Sequence, residues 1–373
     1  MTGADARFLG AALALARRGL GRVAPNPSVG ALLVKDGVIL GRGVTLAGGR
    51  PHAETVALGR ARARYGADAL KGATAYVTLE PCAHHGLTPP CSDALIEAGI
   101  ARLVCPVEDP DPRVHGRGFA KLRAAGVAVE TGLLADAARL LNAGFFLRVE
   151  RGRPWIQLKL AMTLDGRIAT ATGESRWITG PAARLRAHLM RAEADAVMIG
   201  AGTARTDDPM LDVRGFGAGV SQPVRVVMDP RLTLPMGHKL VATARRQPVW
   251  LLHGPSAGAT PEAALAAEGC RPIAVPVGSD GRISLAPALQ RLAGEGLTRV
   301  LVEGGGQLAA ALLAEGLVDE IALFSAGAAI GSEGRPGIGA LGLPRLAEAP
   351  RFRLVDSAAV GPDLLSVWRP ASD

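Results

Sequence analysis

The stretch EPCAHHGLTPPC, residues 80–91, carries two of the chain's four cysteines. Three interpretations are open for Cys82 and Cys91: a disulfide, a structural metal site, or part of a catalytic metal site. A disulfide is disfavoured because four cysteines in 373 residues do not make the framework of a disulfide-rich secreted protein. A structural zinc site is disfavoured because it normally has four ligands, with its cysteines in closely spaced pairs.

A catalytic site needs one more ligand, and the upstream stretch PHAET, residues 51–55, provides it. The order His-x-Glu, then Pro-Cys, then a second Cys is the signature of zinc-dependent deaminases. Three ligands, His52, Cys82 and Cys91, leave the fourth position of one zinc ion per chain to a water, whose pKa zinc lowers towards neutrality. Glu54 is then the predicted catalytic residue, which moves a proton from that water to the departing amine.

The amino-acid composition limits the kinds of partner that the chain is expected to bind. The net charge of +8 suits nucleic acid or phosphorylated metabolites, but only 13 of the 373 residues are aromatic, too few for base-stacking surfaces. We therefore expect a phosphorylated small molecule and no nucleic acid. No apolar run is long enough to span a membrane, and the apolar residues near the start have helical spacing. We expect a cytoplasmic protein that begins with an amphipathic helix.

The order of predicted elements indicates two α/β domains. Up to about residue 147, strands and helices alternate, which predicts a sheet covered by helices on both faces. The polar stretch RVERGRP, residues 148–154, follows a complete predicted helix and ends in proline. It predicts a boundary between a domain of residues 1–148 and a domain of residues 149–373. Two domains are expected because a chain of 373 residues is too long to fold around a single hydrophobic core.

Two loops of the second domain suit a ligand. TRVLVEGGGQLAAALLAEG, residues 298–316, predicts a strand, a glycine-rich turn and a helix, and such a turn lets a phosphate approach backbone N–H groups. Its spacing is not that of the G-x-G-x-x-G dinucleotide-binding fingerprint. GAGTARTDDP, residues 200–209, follows another predicted strand. Loops at the ends of neighbouring strands of an open α/β sheet converge on one crevice.

Taken together, the motifs resemble those of the bifunctional deaminase-reductase family of riboflavin biosynthesis. The resemblance covers nearly the whole chain, and it is carried by PNPSVGALLVKDG, HAE, TLEPCAHHGLTPPC and DPDPRVHGRG in the first half, and by KLAMTLDGRIAT, SRWIT, GAGTARTDDPML and VEGGG in the second. It implies an N-terminal cytidine-deaminase-like α/β/α domain and a C-terminal dihydrofolate-reductase-like α/β domain.

The resemblance also implies two reactions. The first is zinc-dependent deamination of 2,5-diamino-6-ribosylamino-4(3H)-pyrimidinone 5′-phosphate. The second is NADPH-dependent reduction of the ribosyl side chain to ribityl, which yields 5-amino-6-ribitylaminouracil 5′-phosphate. We further expect a homo-oligomer that contacts neither a membrane nor nucleic acid.

Position by position, the resemblance implies further site residues. The expected cofactor contacts are Ala161, Trp177, Thr203, Asp207, Gly305 and Gly306. The expected substrate contacts are Asn26 and His84 in the deaminase and Lys159, Ser175, Arg191, Leu211, Arg214 and Glu303 in the reductase. Arg191 and Arg214 suit a phosphate because a guanidinium binds phosphate oxygens bidentately.

The chain departs from the family pattern at four positions. Thr45 stands where the family commonly has His, and Leu87 where it has Lys or Arg. Asp111 and Asp208 stand where Asn is common. The metal ligands are intact, so we expect deamination to proceed with altered substrate affinity.

Two other functions remain alternatives at this point. A nucleic-acid-editing deaminase with a degenerate second domain would show a steep salt dependence of RNA or DNA binding. A non-catalytic regulator would bind ligand in a divergent pocket without turning it over. The intact reductase motifs oppose the first alternative, and the retained His52, Glu54, Cys82 and Cys91 oppose the second.

Overall fold

A computed structural model of the chain describes residues 2–84, 89–217 and 219–371. The chain divides into two compact units, Met1–Gly152 and Arg153–Asp373. The boundary predicted after residue 148 falls four residues earlier, in the last turn of a helix that ends at Arg151. Within the described ranges, none of the helices combines the length and hydropathy that a bilayer span requires.

The first unit alternates helices and strands as predicted. Its elements in chain order are α1 Gly3–Ala16, β1 Gly30–Lys35, β2 Val38–Val44, α2 Ala53–Tyr65, β3 Thr74–Val77, α3 Cys91–Glu97, β4 Arg102–Cys105, α4 Arg117–Ala124, β5 Ala128–Thr131, α5 Ala135–Leu141 and α6 Ala143–Arg151.

These strands form one sheet with the order β2-β1-β3-β4-β5. β1 pairs antiparallel with β2 and β3, whereas β3, β4 and β5 are parallel. Two apolar cores confirm that helices cover both faces. One includes Leu9 of α1 and Leu32 of β1, and the other includes Leu58 of α2 and Leu33 of β1. Side chains of successive strand residues point to opposite faces, which explains the separation of Leu32 and Leu33.

The dipeptide Asp36-Gly37 predicts a hairpin turn, and β1 and β2 are joined there. Asp36 and Gly37 both have positive φ, 50° and 78°, as a type I′ turn requires. Helix α2 lies very close to the hairpin, because the residues of β2 that face the helix are glycines. A Cβ atom on Gly43 would lie 1.9 Å from the carbonyl oxygen of Ala53, at the start of α2.

One helix prediction is wrong, because a segment predicted to be a single helix forms two. The stretch LADAARLLNAGFFLR reads as a single helix, but the structure breaks it at Asn142 into α5 and α6. The reason is a contact distant in sequence. The Asn142 side chain accepts a hydrogen bond from the Ser28 amide at 2.8 Å and donates one to the Ser28 carbonyl at 3.0 Å.

The second unit is also α/β. Its elements in chain order are β6 Trp155–Thr163, β7 Arg167–Ala169, α7 Pro181–Ala192, β8 Ala196–Gly200, α8 Ala201–Asp207, β9 Val224–Met228, α9 Lys239–Ala242, β10 Val249–His253, α10 Ala259–Ala267, β11 Arg271–Ala274, α11 Leu285–Gly294, β12 Arg299–Glu303, α12 Gly306–Ala314, β13 Glu320–Ala326, β14 Arg335–Pro336, β15 Phe352–Val360 and β16 Asp363–Pro370.

Its main sheet has the order β11-β10-β9-β8-β12-β6-β13-β16-β15. The strands from β11 to β13 are parallel, and β16 joins β13 antiparallel. Apolar cores lie on its two faces, one containing Leu292 of α11 and the other Met190 of α7. The carboxyl ends of the parallel strands therefore share one edge, where ligands bind in open α/β sheets.

We predict that Gly43→Ala shifts or loosens α2, because the new methyl group would overlap the Ala53 carbonyl. Overpacking of this kind costs about 1–3 kcal/mol. Faster amide hydrogen exchange in α2 and a lower zinc content should result, since α2 begins directly after His52. Gly59→Ala is the matched control. A Cβ there meets nothing within 4 Å, and alanine favours a helix interior. Unchanged α2 protection in Gly43→Ala would contradict the packing argument.

Candidate functional site

The three predicted metal ligands lie together in the first unit. His52, Cys82 and Cys91 place one potential ligand atom each within 4.8 Å of one another. The Nδ1 atom of His52 lies 3.7 Å from Sγ of Cys82 and 3.3 Å from Sγ of Cys91. Local structure explains the convergence. His52 precedes the first residue of α2, Cys82 follows β3, and Cys91 is the first residue of α3.

The cluster fits a zinc ion. In a tetrahedral site with usual bond lengths, a nitrogen and a sulfur ligand lie ~3.6 Å apart, which the two observed distances bracket. One histidine and two thiolates are zinc ligands typical of catalytic sites that keep one position open. The backbone amide of Cys91 also donates a hydrogen bond to Sγ of Cys82 at 3.3 Å, which stabilises a thiolate there.

Without a cation the two thiols compete for one negative charge. Hydrogen bonds from Cys91 and His52 lower the pKa of the Cys82 thiol to about 4, although burial opposes this. The hydrogen bond to Cys82, together with burial, raises the pKa of the Cys91 thiol. A divalent cation removes the conflict, because both sulfurs bind it as thiolates.

Glu54 is the second residue of α2, and its side chain is buried beside this cluster. Its Oε2 atom has no hydrogen-bond partner among the described residues. Burial raises the pKa of the Glu54 carboxyl to about 7. A buried acceptor without a protein partner suits a group that bonds to water or substrate instead. The structure therefore brings all four residues of the signature into one site.

Sequence reasoning gave no role to Glu80, the first residue of the opening stretch. Its buried carboxylate accepts hydrogen bonds from four backbone amides, those of Asp109, Gly116, Gly118 and Phe119, at 2.8–3.2 Å. Glu80 thus ties the segment 109–119 to the strand end that carries Cys82. The signal was a carboxylate directly before Pro-Cys, but its donors lie 29–39 residues away.

Two predicted substrate contacts of the deaminase lie in loops of this unit. Asn26 is half-buried, and its side chain packs so closely on Gly49 that a Cβ there would lie 2.0 Å from Nδ2. His84 follows Cys82, and its buried Nδ1 has no partner in the described part of the chain. Leu87 lies outside the described residues.

Two of the residues that depart from the family pattern, Thr45 and Asp111, form hydrogen bonds or ion pairs with nearby groups. The buried Thr45 hydroxyl accepts a hydrogen bond from the Val29 amide at 3.0 Å and donates to the Val29 carbonyl at 3.4 Å. Arg113 forms a bidentate pair with Asp111, and it lowers the pKa of that carboxyl. The charge that Asp111 adds relative to asparagine is therefore neutralised within its own loop.

The second unit contains a cavity of about 1030 Å³ at the carboxyl ends of its parallel strands. This is at the upper end of the range of roughly 300–1,000 Å³ for ligand sites. Among the residues that line it are seven predicted site residues: Lys159, Ala161, Ser175, Thr203, Asp207, Gly305 and Gly306. The two loops predicted to converge do so here.

The glycine-rich turn lies directly against the other loop. Gly304 and Gly305 have φ values of 86° and 82°, which glycine adopts without strain. A Cβ on either residue would approach the Thr203 side chain to 3.2 Å or less. Helix α12 begins at Gly306 without a side-chain cap, so the amides of its first turn are open to a ligand. The turn and α12 together fit a phosphate group.

Arg191 and Glu303 pair with each other beside the cavity rather than lining it. Nε and one terminal nitrogen of Arg191 donate to the two Glu303 oxygens at 2.5 and 2.9 Å. Glu303 lies opposite Lys159 in the register of β12 and β6. Burial lowers the pKa of the Lys159 ammonium, and Glu303 opposes that shift.

Three further predicted residues are absent from the cavity lining in the described ranges. Trp177 is 70% exposed, with the guanidinium of Arg184 lying 4.6 Å from its ring centroid. Leu211 is buried. Arg214 is exposed and pairs with Asp212 at 3.3 Å. The proposed contacts of these three residues stay predictions.

Comparison with known families agrees with this division. Residues 3–107 match the family model described as the cytidine and deoxycytidylate deaminase zinc-binding region. Residues 154–366 match the model of the RibD C-terminal domain. The chain is 41% identical to the riboflavin biosynthesis protein RibD of Escherichia coli, over 96% of this chain and 98% of the relative. It is 40% identical to RibD of Aquifex aeolicus, over 98% of each chain.

Solved structures give the same result. An Acinetobacter baumannii RibD structure superposes with a TM-score of 0.87 at 37% identity, covering 99% of both chains. A diaminohydroxyphosphoribosylaminopyrimidine deaminase/5-amino-6-(5-phosphoribosylamino)uracil reductase from Thermotoga maritima has a TM-score of 0.86 at 35% identity and the same coverage. The chain therefore belongs to the RibD family, and it is a bifunctional deaminase and reductase of riboflavin biosynthesis that uses zinc and NADPH.

Proposed function

We propose that the first unit deaminates the diaminopyrimidinone ring of a phosphoribosylamino compound, and that the second reduces the ribosyl chain of the deaminated product. The substrates are those in the name of the Thermotoga maritima relative. The observation that carries the proposal is that one chain contains two separate candidate sites. The His52, Cys82, Cys91 and Glu54 cluster lies in one unit and the glycine-lined cavity in the other.

In the deaminase, His52, Cys82 and Cys91 hold zinc, which when bound acts as a Lewis acid and makes water nucleophilic near neutral pH. Glu54 accepts a proton from the water that attacks the amine-bearing ring carbon. It then delivers that proton to the amine nitrogen, so that ammonia leaves, while the second proton of the water goes to the ring nitrogen and a carbonyl remains. Its unpaired Oε2 is available for both transfers. Asn26 and His84 hold the pyrimidine in place.

In the reductase, NADPH supplies the hydride when it is bound. Thr203 and the Gly305–Gly306 turn hold its phosphates, with Ala161 and Asp207 along the cavity wall. Lys159 and Ser175 line the same cavity, and Lys159 donates a proton or hydrogen bond at the reacting group. Arg191 keeps Glu303 ionised next to Lys159.

We also propose that the chain forms a homo-oligomer. β15 is the last strand of the main sheet, so its outer edge has no neighbouring strand in the described part of the chain. Exposed apolar side chains, including Leu354 and Leu364, lie on β15 and β16. An unprotected edge with apolar side chains favours association.

Removal of one ligand should empty the metal site. We predict that Cys91→Ser lowers zinc from one ion per chain to a small fraction, because the hydroxyl is a much poorer ligand than thiolate. Metal content of the purified protein measures this. Cys270→Ser is the control, since Cys270 is also buried but lies in the other unit. Full zinc content in Cys91→Ser would rule out the site as described.

Substitution of the proton carrier should separate binding from chemistry. We predict that Glu54→Gln keeps zinc and lowers deamination by about 10²–10⁴-fold, because proton transfer contributes on that scale. Ammonia release from the diaminopyrimidinone phosphate is the assay, and Glu97→Gln on the exposed side of α3 is the control. Wild-type ammonia release from Glu54→Gln would show that another group carries the proton.

The reductase should depend on Lys159 independently of the deaminase. We predict that Lys159→Met, which keeps the side-chain length without the ammonium, lowers NADPH oxidation on deaminated substrate by about 10²-fold or more. Ammonia release by the same variant should equal that of the wild type. Lys35→Met, in the first unit, is the control. Equal loss of both activities would point to misfolding rather than to a role in reduction.

A further inference from the structure

The cavity of the second unit is elongated along the sheet. Its lining includes Lys159 of β6, Gly304 after β12, Gly200 at the end of β8 and Pro230 after β9. These four strands are consecutive neighbours in the sheet. Adjacent strands lie about 4.8 Å apart, so this part alone extends over roughly 14 Å. The segment 278–285, which follows β11, continues the cavity beyond β9. Such a length suits an extended dinucleotide.

The two ends of the cavity differ in chemistry. The end at β6 carries Lys159 and Ser175. The opposite end is walled by apolar residues of the segment before α11 and of α11 itself, namely Ile283, Leu285 and Pro287. An apolar slot fits an aromatic ring. If reduction takes place at Lys159, as the proposed function states, the adenine of NADPH lies at the apolar end.

One arginine lies at this apolar end. Arg282 lines the cavity, and its side chain is 72% exposed. Its side-chain ion pair is with Asp280 of the same turn, at 3.7 Å, which is too long for a charge-assisted hydrogen bond. The Arg282 amide donates to Asp280 at 3.0 Å, so the turn is ordered while the guanidinium remains available.

We propose that Arg282 binds the 2′-phosphate of the adenosine ribose and thereby sets the preference of the enzyme for NADPH over NADH. A guanidinium binds phosphate oxygens bidentately and is always charged. Its neighbour Asp280 strengthens the case for this role. Asp280 also lines the cavity and lies 3.7 Å from Arg282, so its carboxylate would repel an additional phosphate if Arg282 were absent.

Among the described residues that line the cavity, Arg335 is the other arginine, and it belongs to the opposite end. It pairs with Ala169 in the two-stranded sheet of β14 and β7. Its guanidinium lies about 3.0 Å from the position of a Cβ on Gly173. Ala169, Gly173 and Ser175 line the cavity on the side of Lys159. Arg335 is therefore near the reacting groups, and Arg282 is near the adenosine.

The test compares two probes on the full-length holoenzyme. Adenosine 2′,5′-bisphosphate carries the distinguishing phosphate, and adenosine 5′-monophosphate lacks it. Wild type should bind the bisphosphate more tightly, and Arg282→Ala should weaken that binding by roughly 10- to 100-fold while leaving the monophosphate unchanged. KM for NADPH should rise by a similar factor, with KM for NADH and kcat at saturating NADPH unchanged. Arg282→Lys should recover part of the preference.

Arg353→Ala, on the exposed face of β15, is the matched control and should change none of these values. Two outcomes would overturn the proposal: an unchanged preference in Arg282→Ala, or its loss in Arg335→Ala instead. Failure of the proposed function is distinguishable. In that case wild type would oxidise neither NADPH nor NADH in the presence of the deaminated substrate. If only this inference fails, the wild type still reduces the substrate, and Arg282→Ala leaves the cofactor preference unchanged.

Discussion

Four backbone amides converge on the carboxylate of Glu80, and the deaminase site depends on that interaction. The carboxylate is buried, so its charge is acceptable only because the amides of Asp109, Gly116, Gly118 and Phe119 satisfy it. The contact is also tight. A Cβ on Gly118 would lie 2.0 Å from the Pro81 carbonyl oxygen. Glu80 and Gly118 together hold the loop before α4 and the first turn of α4 against the residue that precedes Cys82. This contact orients a metal ligand from outside the metal site.

Both units use the same geometric principle with different chemistry. In each, the functional groups follow strands whose carboxyl ends point to one edge of a sheet, and glycines allow the neighbouring elements to approach. Gly43 brings α2, and with it His52 and Glu54, close to the hairpin. Gly304 and Gly305 bring their turn against Thr203. A larger side chain at any of these glycines would overlap the neighbouring element. It would therefore displace the residues of the site without itself contacting a ligand.

Local patterns in the sequence predict the elements and the metal ligands well, since both depend on nearby residues. Hydrophobic spacing predicts α1, and Asp36-Gly37 predicts the hairpin. What the sequence does not predict depends on distant partners. The break at Asn142 requires Ser28, which is 114 residues away. The role of Glu80 requires donors from the loop after β4 and from the first turn of α4. Arg191 has the chemistry of a phosphate ligand, and only the folded chain shows that Glu303 occupies its guanidinium.

The pairing of Arg191 and Glu303 has a consequence for Lys159. Burial alone would favour a neutral Glu303, yet Arg191 lowers the pKa of that carboxyl to about 2. Glu303 is therefore ionised at any physiological pH, and its register places it opposite Lys159. Burial lowers the pKa of Lys159, while the ionised Glu303 favours the ammonium form. A neutral residue in place of Arg191 would raise the pKa of Glu303 and weaken its support of the Lys159 ammonium, but it would also remove the direct repulsion between Arg191 and Lys159. Arg191 therefore acts on Lys159, which lines the cavity, in two opposed ways: directly through its own charge, and indirectly through the bidentate pair that keeps Glu303 ionised.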